Sequence, residues 1–276
     1  MSIVTFWGSG KEQVGKTLSL VAIATNMAIQ HNKKVLIVSA SYNNDTLKNC
    51  YWKEDAKKKF SIMSQEGKVS LDNGIESLAK IIESNKITPE LITDYTKIVF
   101  KDRLEVLLGF EAYTTVSDEK IANTYIEIIK LANKYYDLVI VDLDNEIEQT
   151  GRETIVKMSD VVVAMTSQRV TSVEKIKGKK DVLVGKKGIM LIGKYDKKSK
   201  YTIKNLTRYL GERKEILAIP YNTLFFEAAE EGIVPDLFLK LRNIKDKSDE
   251  NIYFMQQIKK ACDEIANKIR EAEMVN

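Results

Sequence analysis

The sequence predicts an α/β fold: a doubly wound, mostly parallel sheet with helices on both faces. Three observations carry that prediction. Apolar, β-branched runs such as Val35 to Val38 lack the polar alternation of a half-exposed strand, so they read as strands buried on both faces. Stretches of helical period separate several of these runs, the order expected of parallel sheets. The first run leads through a glycine-containing turn into the first helical stretch, and doubly wound sheets bind ligands at the carboxyl ends of their strands.

Taken in order, residues 3–7 read as the first strand and residues 16–30 as the first helix. Residues 35–38 are the apolar centre of a second strand, and residues 46–100 read as mostly helical with charged faces. Further strand centres fall at 104–108, 138–142, 161–166, 189–192 and 216–219, with helices at 119–135 and 200–210 between several of them. The last helix, about 249–273, carries Ile252, Met255, Ile258, Cys262, Ile265 and Ile269 near one face. Packing on the sheet explains that stripe. The alternative is a helix lying on anionic lipid through Lys259, Lys260, Lys268 and Arg270. The closing Glu271-Ala272-Glu273-Met274-Val275-Asn276 is neither basic nor strongly apolar, so a membrane partner is disfavoured.

Composition narrows the class. With 276 residues, 44% of them hydrophobic, three prolines and no Gly-, Ser- or Pro-rich linker, the chain reads as a single domain over 1–276. Cys50 and Cys262 are too isolated for a metal site or a disulfide framework, which points to a reducing, cytoplasmic compartment. The first residues lack a basic signal-peptide region, and the longest apolar run, 18–29, is interrupted by Ser19, Thr25 and Asn26 and too short to span a bilayer. His31 is the only histidine, which excludes a His-based triad or zinc site and reads as a helix-end surface residue. The net charge of +4 is unevenly spread. Between Arg169 and Lys214 fifteen basic residues face four acidic ones, a local surplus of +11, so the remainder is acidic by 7.

Gly10-Lys11-Glu12-Gln13-Val14-Gly15-Lys16-Thr17 matches the G-x-x-x-x-G-K-[ST] phosphate-loop template, with a strand before it and helix-compatible Leu18-Ser19-Leu20 after it. That context makes the fold a P-loop NTPase. Backbone N–H groups of the loop and the positive end of the helix dipole would face phosphates. Lys16 would reach the β- and γ-phosphates, and the Thr17 hydroxyl would ligate Mg²⁺.

The early Lys11 makes this loop resemble the deviant Walker A motif, K-G-G-x-G-K-[ST], of the MinD/ParA family of ATPases. The resemblance covers nearly the whole chain. Tyr136-Asp137-Leu138-Val139-Ile140-Val141-Asp142 is similar to the family's Walker B strand, and Ser159 to Thr166 to the strand that follows. Ala218-Ile219-Pro220-Tyr221-Asn222 resembles the late loop beside the adenine, and Glu227 to Gly232 the helix after it. The resemblance implies ATP and Mg²⁺ as cofactors, with Gly10, Lys11, Glu12, Gln13, Val14, Gly15, Lys16, Thr17, Leu18, Pro220 and Asn222 around the nucleotide. It implies Thr17 and Asp142 at the metal, and Lys11, Lys16 and Asp142 as the catalytic set. It further implies an ATP-dependent homodimer in which Lys11 crosses to the partner's nucleotide.

Three departures stand against that pattern. Glu12 and Gln13 replace two family glycines. Ser39 and Ser41 stand where the family has aspartates that position Mg²⁺ and water, and a serine supplies neither a carboxylate base nor its charge. Asp45 and Asp144 are the nearby substitutes. Gly193 takes the place of an adenine-contacting asparagine. ATP binding with slow or absent turnover is therefore expected. The leading functional reading is a ParA-like protein for DNA partition or subcellular positioning, holding DNA non-specifically through the 169–214 segment and working with a regulatory partner. The alternative is a weakly hydrolysing hub resembling the TadZ-like proteins of pilus-assembly loci. A MinD-like membrane cycle ranks third, and an iron–sulfur carrier last, for want of cysteine ligands.

Overall fold

The structure, a computed structural model, describes residues 1–8, 13–42, 45–53, 74–84, 88–110, 116–178, 188–210, 216–244, 246 and 248–274. In chain order its elements are β1 (Ser2–Gly8), α1 (Lys16–Gln30), β2 (Val35–Ala40), α2 (Asp45–Tyr51), α3 (Gly74–Glu83), a 3₁₀ helix (Pro89–Tyr95), β3 (Lys97–Phe100) and β4 (Leu104–Leu107). There follow α4 (Asp118–Ala132), β5 (Leu138–Leu143), α5 (Gln149–Met158), β6 (Val161–Thr166), α6 (Val170–Gly178), β7 (Gly188–Tyr195) and α7 (Ile203–Leu210). β8 (Ile216–Pro220), α8 (Thr223–Glu231), α9 (Val234–Leu241) and α10 (Asn251–Glu273) complete the chain.

The eight strands form one sheet in the order β3-β4-β2-β5-β1-β6-β7-β8. Every ladder is parallel except that of β3 with β4. β2, β5 and β6 are buried along their whole length, which is why their sequences show no polar alternation. Successive side chains alternate between two apolar layers. On one face Phe6, Ile37, Ile140 and Val163 pack with Leu20 and Ile23 of α1 and with α10. On the other, Leu36, Val139 and Val141 pack with Tyr125 and Ile129 of α4.

Most of the apolar stripe of the last helix faces the α1-side layer: Ile258, Cys262, Ile265 and Ile269 are buried there with Phe254, and Met255 packs half-buried against it, while Ile252 is half-buried. Among the described residues no helix is long and apolar enough to cross a membrane. His31 is the exposed C-cap of α1, as expected, and its carbonyl accepts a bond from Arg103.

One expectation is corrected. Residues 97–100, read as the end of a helical stretch, form an antiparallel edge strand, and a 3₁₀ helix rather than an α-helix precedes it. A four-residue strand with Ile98 turned to solvent carries too little pattern to be seen as period two. Its ladder leads to Glu105, which is buried in β4 and takes bonds from Tyr136 (2.5 Å) and Thr96 (2.7 Å), with Lys34 at 3.6 Å. α5 and α9 are helices that the sequence periodicity does not single out.

Candidate functional site

The loop between β1 and α1 leaves the carboxyl edge of the sheet at a central strand. Gly10, Lys11 and Glu12 lie outside the described residues; Gln13 is exposed and Val14 half-buried. Gly15 has φ 71° and ψ 32°, a left-handed turn that suits glycine, and it caps α1. No side chain caps α1, and no acid occupies its first turn. The helix begins with Ser19 N–H donating to the Gly15 carbonyl at 2.9 Å. Its remaining N-terminal donors and the positive dipole end suit an anion. Leu18 packs against the α1-side core and so sets the direction in which Lys16 and Thr17 project.

Asp142 stands near the end of its strand beside this helix start and is fully buried. A buried carboxylate is costly unless paired, and here two groups meet it. The Thr17 hydroxyl donates to Oδ2 at 2.7 Å, and the Lys16 ammonium lies 2.5 Å from Oδ1. Lys16 also donates to the Leu143 carbonyl at 2.7 Å. The three residues that the sequence nominates for phosphate and metal therefore come together, although 125 positions separate Thr17 from Asp142. The donor set fits Mg²⁺, a hard cation held by one or two protein oxygens with water and phosphate supplying the rest. The Lys16 ammonium already balances the carboxylate from the other oxygen.

β2 brings Ser39 level with Asp142 in the parallel register. Ser39 and Ser41 are buried and share a 2.8 Å hydroxyl–hydroxyl bond. The departure from the family pattern thus lies on the same sheet face as the candidate metal residues, and there it is a neutral pair. The two nearby acids are placed less favourably. Asp45 is exposed in the first turn of α2, and Asp144 takes the Glu146 N–H at 3.1 Å in its own turn.

Beside the loop, a cleft of about 580 Å³ opens between the end of β7, the β8–α8 turn and the start of α10. Pro220 and Asn222 line it. The Asn222 side chain is committed locally: its oxygen accepts the Phe225 N–H at 2.8 Å, capping α8, and its nitrogen donates to Asn251 at 2.8 Å. Asn222 therefore shapes the wall. Tyr221, Tyr253 and Lys194 also line the cleft; the sequence places Tyr221 in the late-loop segment and Lys194 in the basic segment, but singles out none of the three as a nucleotide contact. Tyr221 sits between β8 and α8, Lys194 at a strand end and Tyr253 in the first turn of a helix, where periodicity carries no signal for a ligand contact. Gly193 proves to be a contact position: a Cβ there would stand 2.1 Å from the Val14 carbonyl oxygen, so no side chain fits between β7 and the loop.

Of the basic segment, Arg169, Lys175, Lys194, Lys197, Lys198, Lys200, Lys204 and Arg208 are exposed around α6, α7 and the loop between β7 and α7. Lys179, Lys180, Lys186, Lys187, Arg213 and Lys214 lie outside the described residues.

No protein-family model matches the sequence, and no curated protein matches it. Solved structures do resemble the fold. A ParA family ATPase from Chlorobium tepidum aligns over 95% of this chain and 98% of its own, with a TM-score of 0.65 at 14% identity. A putative plasmid partition protein from Borrelia burgdorferi, bound to AMPPNP, aligns over 94% and 97%, with a TM-score of 0.62 at 15% identity. The septum site-determining protein MinD of Pyrococcus horikoshii, complexed with Mg-ADP, aligns over 97% and 98%, with a TM-score of 0.63 at 15% identity. The chain has the ParA/MinD P-loop NTPase fold.

Proposed function

We propose that this chain is a cytoplasmic, nucleotide-dependent switch of the ParA/MinD kind that binds ATP with Mg²⁺, pairs with a second copy and hydrolyses slowly. The observation that carries this is the meeting of Lys16 and Thr17, at the start of α1 where no side chain caps the helix, on the buried carboxylate of Asp142. In this reading Lys16 turns from Asp142 to the β- and γ-phosphates, and the loop from Gly10 to Leu18 wraps them with backbone N–H groups. Thr17 and Asp142 would hold the metal, which would supply charge neutralisation at the phosphates. Pro220 and Asn222 bound the base, and Lys11 reaches the partner's nucleotide. The similar Borrelia and Pyrococcus proteins were solved with AMPPNP and Mg-ADP, which supports the ligand class.

The exposed lysines and arginines of 169–208 support non-specific DNA as the partner, held by phosphate neutralisation. The second reading, a weakly hydrolysing assembly hub, is favoured by the buried Ser39–Ser41 pair beside Asp142. DNA co-sedimentation with ATP, with ADP and without nucleotide, across a salt series, separates the two. ATP-dependent binding that weakens steeply with salt supports partition. ATP binding without DNA binding at low salt supports the hub. No nucleotide binding at all overturns the switch itself.

A further inference from the structure

We propose that Lys194 is a further cation of the nucleotide site, gripping the phosphate chain from the β7 side, between the phosphate loop and the base cleft. This rests on the nucleotide reading above and deepens it. The backbone of Lys194 has φ 52°, a left-handed conformation rare for a long side chain. The parallel ladder of β7 with β8 shifts register between Ile192 and Tyr195, so this residue sits in a bulge at the strand end. Gly193 pins the bulge, since its Cα face lies against the Val14 carbonyl with no room for a side chain.

The result of the strain is a placement. The Lys194 stem lies over Gly15: a Cβ built there would meet Lys194 Cγ at 3.1 Å and Cε at 3.4 Å. Two left-handed residues far apart in the sequence are thereby stacked, one the last glycine of the phosphate loop and the other a lysine. Lys194 is exposed and lines the cleft shared with Pro220 and Asn222. No carboxylate among the described residues forms an ion pair with it, whereas Lys16 is turned inward to Asp142. A strained residue persists where the surrounding structure over-determines it, and such positions cluster at ligand clamps. Nothing about the packing of β7 needs a positive charge there. A nucleoside polyphosphate crossing from the loop to the cleft does. Standing on the base side of the loop, Lys194 would meet the phosphates that ATP and ADP share.

The test is nucleotide titration of the full chain as wild type, Lys194→Met, Lys194→Arg, Lys194→Gly and Lys16→Ala, with the melting temperature of each nucleotide-free protein. Lys194→Met keeps the stem and loses the charge. It should weaken ATP and ADP alike by about tenfold and flatten the salt dependence of binding, while Lys194→Arg stays near wild type. Lys194→Gly should lose the same affinity yet melt higher than wild type, because glycine adopts the left-handed turn without strain. Met and Gly variants that bind like wild type would overturn the proposal, as would a Gly variant that melts lower. Wild-type protein that binds no nucleotide would instead remove the parent reading and this inference with it. Lys16→Ala marks the loss expected of the phosphate loop alone.

Discussion

Gly193 of β7 lies against Val14 of the phosphate loop so closely that a Cβ would come 2.1 Å from the Val14 carbonyl oxygen. Met165 Cε and Ser19 Oγ stand 3.2 Å from the same point and crowd it further. Putting the family's asparagine back at this position should therefore not restore a base contact. Gly193→Asn and Gly193→Ala should each cost about 1–3 kcal/mol by overpacking. For a chain of this size that is a fall of roughly 2–4 °C per kcal/mol in melting temperature. Thermal melts of the nucleotide-free variants check this, and unchanged melting would mean that the loop yields freely to β7.

The pairing of Lys16 with Asp142 makes the usual loop-lysine variant a stability variant as well. Lys16→Ala removes the counter-charge of a fully buried carboxylate that the Thr17 hydroxyl still meets, a loss on the order of 3 kcal/mol. Asp142→Asn in the same chain removes the buried charge and should recover most of it. Urea unfolding of the single and double variants measures the coupling. Strictly additive effects would show that the ion pair contributes nothing. Lost nucleotide binding in Lys16→Ala is informative only where the variant is shown to be folded.

Ser39 stands level with Asp142 across the β2–β5 ladder, and its hydroxyl is spent on Ser41. Ser39→Asp and Ser41→Asp would place a carboxylate on the same face as the candidate metal residues. With Mg-ATP bound, at least one of them should raise phosphate release about tenfold or more, the scale of a restored general base or water-positioning group. Without nucleotide and metal, both should be less stable than wild type, since the added charge is buried beside Asp142. Phosphate release at saturating ATP reads the first effect. Turnover unchanged in both variants would place the block elsewhere, with Glu12 and Gln13 next in order.

The parallel core was legible because its strands are buried on both faces and are bounded by long helices. Val35 to Val38 and Val161 to Thr166 announce themselves by composition alone. Lys16 and Thr17 were legible as candidates because the phosphate-loop template fixes residue types at a set spacing, and Asp142 because its strand resembles the family's Walker B strand. The antiparallel β3 was not, since its four residues show a half-exposed face and no period. Nor was Lys194, for lysine has no preference for the left-handed turn that the backbone imposes. The meaning of Gly193 was equally hidden. An absent side chain reads the same in a sequence whether it marks a lost contact or a crowded one, and only the Val14 carbonyl decides between them.

The two thiols give a prediction with a definite sign. Burial pushes Cys50 up to about 12, with Glu230 and Asp142 adding to it, and burial likewise pushes Cys262 up to about 12 against a bond from Asn26. In the unfolded chain both would ionise near the ordinary thiol value of 9.0. The folded state then holds protons that the unfolded state has released. The stability from this difference is complete below pH 9 and is lost as pH rises from about 9 towards 12. Each thiol contributes a slope approaching 1.4 kcal/mol per pH unit within that window. The buried Tyr51, Tyr125 and Tyr136, also raised by burial, steepen the fall above about pH 10. Urea midpoints between pH 8 and pH 11 should therefore drop progressively. At pH 8 a thiol reagent should label both cysteines far more slowly in folded than in urea-unfolded protein. Rapid labelling of the native protein together with a flat alkaline stability profile would contradict the burial of Cys50 on the inner face of α2 and of Cys262 of α10 against α1.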